Sequence, residues 1–323
     1  MIKVSIALIF LGLGLGLGIF VGKNTSNKDV DTSPREIRLG ENKFTNPLLE
    51  CEVNGMVGET EYKPSKNKIT SYINDQLDKK NITHASVYYR DLNNGPWFGI
   101  NERENFSPAS LLKLPVLMAY LKQAETNPGL LTKKLLYKKV SAPVEQNFIP
   151  ISPLLDDAEY TIDELLSHMI IYSDNDALFL LEKNIDAAAI DAVTRDLGIE
   201  TATDTTPEDY MSVKSYASLF RVLFNASYLN REMSEKAFSI LTKTAFPKGL
   251  VSGVPPNIPV AHKFGERELP NDVKQLHDCG IVYYPKHRYL LCIMTRGTDY
   301  GQLETVIGTI SKNIYEDLST RYK

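Results

Sequence analysis

The feature that most constrains this fold is where the apolar spacing of the chain changes period. From Ile69 to Ile100 it passes from a helical pattern (Ile69, Tyr72, Ile73, Leu77) to two strand-like runs, Ala85-Ser86-Val87-Tyr88-Tyr89 and Pro96-Trp97-Phe98-Gly99-Ile100, with the turn signal Asn93-Asn94-Gly95 between them. Strand character then vanishes for more than a hundred residues, while 108–122, 161–172, 177–183, 186–197, 207–224 and 234–244 favour helix. It resumes at 260–264, 280–284 and 289–294, the last two joined across Pro285-Lys286-His287, and 302–318 closes the chain as a helix. A sheet drawn from both ends of a chain must carry the helical middle as an insertion. The expected class is therefore α/β, an antiparallel sheet with flanking helices plus an all-helical lobe. The cleft between two such lobes is the natural place for a site.

Residues 4–21 carry no charge between Lys3 and Lys23. As a helix this stretch is roughly 27 Å long, enough to cross a bilayer core. Its four alternate glycines, 12 to 18, weaken a helix in water by about 1 kcal/mol each, yet glycine is common in membrane helices. No small-x-small cleavage site follows at Phe20-Val21-Gly22-Lys23, so residues 1–22 are expected to be an uncleaved membrane anchor, with a cleaved signal peptide as the alternative. Either one exports the rest of the chain to the cell envelope. Residues 23–60 read as a polar linker with one short apolar patch at Pro47-Leu48-Leu49, and 61–323 as one globular unit.

Charge excludes some partners. With 36 Lys+Arg against 40 Asp+Glu the net charge is -4, and no basic block gathers nucleic acid. His84, His168, His262, His277 and His287 form neither H-E-x-x-H nor a tight pair, so no metal and no cofactor are expected. Oligomeric state has no signal. Cys279 and Cys292 fall on facing strands of the expected hairpin, where buried free thiols are commoner than a cross-strand bridge; Cys51 has no assigned partner.

Ser-x-x-Lys occurs twice, at Ser65-Lys66-Asn67-Lys68 and at Ser110-Leu111-Leu112-Lys113. Ser65 precedes a polar helix start, where helix capping accounts for it. Ser110 opens an apolar helix, with its hydroxyl expected in the first turn and Lys113 on the same face. Burial or a second cation there would push the amine toward the range of a general base, and a serine beside such an amine becomes a nucleophile. The bland reading is that Ser110 caps and Lys113 snorkels. Ser173-Asp174-Asn175 ends a helical pattern, and Lys263-Phe264-Gly265 lies on an expected strand. Each is ordinary alone.

In order along the chain, Ser-x-x-Lys, Ser-Asp-Asn and Lys-x-Gly on a late strand resemble the motif set of class A β-lactamases and penicillin-binding proteins. Tyr160-Thr161-Ile162-Asp163-Glu164-Leu165, Asp204-Thr205-Thr206-Pro207 and Thr295-Arg296-Gly297 extend the resemblance through most of the chain after about residue 62. It implies a β-lactamase/transpeptidase-like fold and a role for each residue. Ser110 would be the nucleophile, Lys113 the amine that takes its proton, and Ser173 the relay to the leaving nitrogen. Asn175 would hold the substrate's amide side chain and Lys263 would attract its carboxylate. The oxyanion hole would use the backbone N–H groups of Ser110 and of Glu266, which follows Gly265.

Two departures shape the functional expectation. Phe264 stands where the family has threonine, removing a hydroxyl whose hydrogen bond to a carboxylate is worth about 1.5 to 3 kcal/mol. The family's Glu-x-x-Leu-Asn loop, whose glutamate activates the deacylating water, has no counterpart in the 32 positions from Asn175 to Pro207. Glu200, Glu208, Glu266 and Glu268 have no spacing that marks one as a substitute. A missing general base costs roughly 10²- to 10⁴-fold, so an acyl-enzyme should form and persist. The expected substrates are peptidoglycan stem peptides ending in D-alanyl-D-alanine, with β-lactams as acylating agents. A true β-lactamase and a non-catalytic penicillin or muropeptide binder are the alternatives.

Overall fold

The computed structural model describes residues 35–38, 42–52, 62–93, 95–139, 146–200, 203 and 205–322. The apolar stretch 4–21 lies outside them, and among the described residues no helix is long and apolar enough to cross a membrane. β1 (Arg35–Arg38) and β2 (Leu48–Glu52) form an antiparallel hairpin. Between them Phe44 and Thr45 are buried, and Glu235 accepts hydrogen bonds from both amides and from the Thr45 hydroxyl. This part of the expected linker thus packs on the folded body.

α1 (Lys63–Asp78) buries Ile69 and Ile73 and leads into the hairpin of β3 (His84–Asp91) and β4 (Trp97–Ile100). β5 (Asn105–Phe106) precedes a 3₁₀ turn, Ala109–Leu112, and only then does α2 (Lys113–Ala124) begin. Ser110 therefore sits in a tight turn before the helix rather than in its first turn. Ten of the twelve α2 residues are buried, the signature of a helix apolar on every face and enclosed by others.

The helical lobe is not free of strands, contrary to the sequence reading. β6 (Lys134–Tyr137) and β7 (Ala158–Thr161) form a small hairpin, and β8 (Met211–Ser212) pairs with β5. Two to four residues are too few for an alternating pattern to show. α3 (Ile162–Ile171) starts at a capping box, in which Thr161 and Glu164 satisfy each other's amides. α4 (Asn175–Glu182) and α5 (Ala187–Asp196) start at the aspartate caps Asp174 and Asp186. α6 (Val213–Phe224), capped by Ser212, begins six residues after Pro207, where the sequence placed its start; α7 (Arg231–Leu241) follows.

The chain returns to the sheet as β9 (Val260–Leu269), β10 (Val273–Val282) and β11 (Tyr289–Gly297), and ends in α8 (Tyr300–Arg321). β9 and β10 run further than their apolar cores because Asn271 and Asp272, both at positive φ, close a tight turn between polar halves. The antiparallel sheet has the order β4-β3-β11-β10-β9, leaving β9 as an edge. Alternation along the central strand divides the core. Leu290, Cys292 and Met294 face the helical lobe, whereas Tyr289, Leu291 and Ile293 face α1 and α8.

Cys279 and Cys292 occupy directly opposed positions of β10 and β11, fully buried, and form a disulfide. The expectation of free thiols is corrected: direct opposition in the register brings the two sulfurs within bonding reach. Neither cysteine should react with iodoacetamide unless the protein is first reduced, as read by intact mass. Cys292→Ala should lower the free energy of unfolding by about 2 to 4 kcal/mol in a urea titration.

Candidate active site

Three chain segments converge at the cleft. The first is the 3₁₀ turn bearing Ser110. Ala109 before it lies at φ 47°, a left-handed conformation that a residue with a Cβ adopts only when its surroundings impose it. The surroundings are on β10. Gln275 Oε1 accepts the Ser107 amide at 3.0 Å, and His277 Nε2 lies 2.9 Å from the Ser107 carbonyl, so both ends of one residue are held. A carbonyl only accepts, which makes Nε2 the protonated nitrogen and leaves Nδ1 to accept from the Thr295 amide at 3.3 Å. Burial lowers the His277 pKa to about 4, keeping it neutral.

The second segment is the turn between α3 and α4. Ser173 also adopts a positive φ, 54°, and the Asp174 carboxylate next to it accepts the amides of Asp176 and Ala177. One turn therefore ends a helix, starts the next and aims Ser173 and Asn175 at Lys113. The third segment is edge strand β9. A Cβ on Gly265 would come within 3.0 Å of Leu111 Cγ and 3.1 Å of the Leu111 amide nitrogen and the Pro108 carbonyl, so glycine is what lets the strand pass the Ser110 turn.

At the centre is Lys113 Nζ, fully buried. It lies 2.8 Å from Ser110 Oγ, 2.8 Å from the Ser173 carbonyl, 3.2 Å from Ser173 Oγ and 2.6 Å from Asn175 Oδ1. Lys263 Nζ, equally buried, donates to Ser173 Oγ at 3.0 Å and to the Phe264 carbonyl at 2.7 Å. Burial lowers the Lys113 pKa to about 7, against the opposing carboxylates of Asp174, Glu266 and Glu182. Burial and then the charge of Lys113 push Lys263 well below its ordinary value. As a free amine, Lys113 has two hydrogens. The Ser173 carbonyl and Asn175 Oδ1 are acceptors that take both, which turns the lone pair toward the Ser110 hydroxyl.

Ser110, Lys113, Ser173, Asn175 and Lys263 are thus brought together as the motifs anticipated, and Gly265 and Glu266 lie alongside. Ser110, Lys113 and Asn175 line a cavity of about 890 Å³, together with Glu182, Glu266 and Glu268; Ser173 and Lys263 stand behind its wall. Of the other glutamates considered, Glu200 does not line it. Glu208 is engaged elsewhere, accepting from Ser107 Oγ at 3.1 Å and from Arg267 Nε at 2.9 Å.

Some contributors carried no motif. Gln146 reaches the Ser173 carbonyl at 2.8 Å, and the amides of Asn147 and Phe148 donate to Glu266 Oε1 at 2.9 Å each, so 146–148 straps the cleft from Ser173 to the edge strand. Glu182 lines the cavity seven residues after Asn175 on α4. Gln275 and His277 offered one signal, buried-type polar residues within a strand run.

The His277 arrangement sets a pH dependence. A histidine with a folded pKa of about 4 against an ordinary 6.5 binds fewer protons when folded, so stability should fall as pH drops from 6.5 toward 4. The loss is about 3 kcal/mol. His277→Gln, which keeps a donor for Ser107, should flatten that slope in urea titrations across the same pH range. Gly265→Val should displace the Ser110 turn and cut nucleophile reactivity by about 10²-fold, measured with a serine-directed fluorophosphonate probe.

Comparison with known proteins bears on the family and the fold. The profile of the beta-lactamase enzyme family matches residues 67–318. A curated β-lactamase of Citrobacter koseri is 32% identical over 99 residues, 30% of this chain and 33% of that relative, so the match spans about a third of its length. A class A β-lactamase from Bacteroides cellulosilyticus superposes with a TM-score of 0.67 at 21% identity, covering 79% of this chain and 99% of the other. A substituted PBP-A, solved as an acyl-enzyme complex with penicillin G, gives 0.66 at 20% identity over 80% and 97%. With the profile covering most of the chain and the fold matching from end to end of these structures, the protein belongs to the beta-lactamase enzyme family.

Proposed function

We propose that the protein is an acyl-enzyme-forming hydrolase or transferase acting on peptides that end in D-alanyl-D-alanine, that β-lactams acylate it at Ser110, and that deacylation is slow. The observation that carries this reading is the Lys113 amine, 2.8 Å from Ser110 Oγ with a pKa lowered to about 7. Lys113 takes the hydroxyl proton as Oγ attacks the substrate carbonyl. The N–H groups of Ser110 and Glu266 hold the developing oxyanion, a contribution typically worth about 10²- to 10³-fold per donor. Ser173, polarised by Lys263, passes a proton to the leaving nitrogen while Asn175 orients the substrate amide. Slow deacylation follows from the carboxylates. Among the described residues no carboxylate is hydrogen-bonded to Ser110 or Lys113, and just past the segment where the family's glutamate loop would lie, Glu208 is tied to Ser107 and Asp209 to Arg296. The apolar segment 4–21 supports an extracytoplasmic domain held at the cell envelope.

True β-lactamase activity is the second reading, favoured by the Citrobacter koseri relative and by Glu182, a cavity carboxyl whose pKa burial raises.

Incubation with benzylpenicillin followed by intact-mass measurement tests both. The proposal expects a lasting adduct on the wild type and none on Ser110→Ala; rapid drug loss without accumulated adduct would favour the β-lactamase, and neither event would favour a binder. The acylation rate should fall about tenfold per unit below pH 7 and level off above it, since the free amine is the competent form. Lys113→Met should abolish that limb and reduce acylation by about 10²- to 10⁴-fold.

A further inference from the structure

The cavity beside Ser110 differs in charge from the carboxylate-binding site that the resemblance implies. Lys263, the expected anchor for a substrate carboxylate, is fully buried. Its amine is engaged by Ser173 Oγ and the Phe264 carbonyl, lies 4.3 Å from the centre of the Phe264 ring, and does not line the cavity. Phe264 replaces the threonine hydroxyl with a ring stacked on Phe246 at 4.2 Å and packed edge-on against Phe148. Among the described lining residues the cations are Lys113, which burial drives toward its neutral form, and Arg267, which is paired with Glu208 at 2.9 Å. Three carboxylates face them: Glu182, Glu266 and Glu268.

Glu266 is the fixed one. Its Oε1 accepts both the Asn147 and Phe148 amides, which pins the carboxylate against the strap, while its Oε2 is buried with no hydrogen-bond partner among the described residues. Pinned in this way, the carboxylate keeps its negative charge at a fixed place on the cavity wall, where an ammonium group brought by a ligand is attracted to it. The residue directly follows Gly265, the position at which β9 passes the Ser110 turn, so a ligand reaching Ser110 passes beside it.

We propose that Glu266 is a specificity-determining residue whose fixed negative charge makes the Ser110 cavity select amides or lactams bearing an ammonium group close to its carboxylate. The inference rests on the acyl-enzyme reading and names the substrate class of the same site. A substrate held by its carboxylate alone meets a wall of like charge; one that also carries an amine meets a fixed charge of opposite sign.

Equilibrium binding to Ser110→Ala separates this inference from the chemistry, because that variant has no nucleophile to acylate. Two matched ligand pairs are titrated calorimetrically. Ampicillin differs from benzylpenicillin by one amino group, and acetyl-lysyl-D-alanyl-D-alanine differs from its norleucyl analogue by an amine in place of a methyl at longer reach. At least one pair should show fivefold or greater preference for the amine-bearing member. Adding Glu266→Gln, whose amide oxygen still accepts from Asn147 and Phe148, should bring that ratio to within twofold of unity, whereas adding Glu268→Gln should leave it unchanged. Equal affinity in both pairs, absence of measurable binding, a preference that survives Glu266→Gln, or one lost equally with Glu268→Gln would each overturn the assignment. A missing penicillin adduct on the wild type would instead remove the acyl-enzyme reading and leave this result to stand alone.

Discussion

Two buried lysines share one serine hydroxyl, and the rest of the architecture follows from that constraint. Lys113 and Lys263 both lie within hydrogen-bond distance of Ser173 Oγ, fully buried, on elements from opposite lobes. Two full charges at such separation inside a protein would repel strongly and lose their hydration, so both amines are driven toward the neutral form. That same pressure makes a lysine useful as a base near neutral pH. A free-standing loop or surface helix cannot supply it, because water would restore the ordinary pKa.

The scaffold is built to keep these groups dry and still. α2, nearly all buried, carries Lys113 into the centre of the helical lobe, and the edge strand carries Lys263 in from the sheet. Between them, Ala109 and Ser173 hold left-handed conformations that neither would adopt alone. Their cost is offset by Gln275 and His277 on β10, which grip Ser107, and by the Asp174 cap on α4. The Cys279–Cys292 bridge lies in the same row of the sheet, with Cys279 directly opposite Lys263 in the register, and so fixes the strand next to the buried amine. Strain at the nucleophile turn and rigidity in the adjoining sheet are two parts of one arrangement.

The cavity wall tells a different story from its centre. Ser110, Lys113, Ser173, Asn175 and Lys263 keep the motif pattern of the family, whereas Phe264 departs from it. Phe264 has joined an aromatic cluster, Glu266 holds the strap, and Arg267 is paired away. Lys263 and Phe264 are neighbours on one strand that point to opposite faces, Lys263 to Ser173 and Phe264 to the aromatic cluster, so one can be retained while the other diverges.

The sequence by itself determined the two-ended sheet, the helical insertion and the residues at the centre. Those signals are local: a period of two or of 3.6, and three short motifs whose order along the chain is informative. It could not reveal the two small ladders in the helical lobe, the 3₁₀ turn that holds Ser110, or the disulfide. Each depends on register or on contacts between residues far apart, as when Gln275 and His277 grip Ser107 from more than 160 positions away. Tertiary structure alone decided the protonation bias of the lysines, because pKa depends on desolvation and no motif encodes how much water a fold excludes. It also decided which glutamates face the cavity: Glu182 and Glu266 do, and Glu208 is turned away into an ion pair, although all three look alike as letters in a chain.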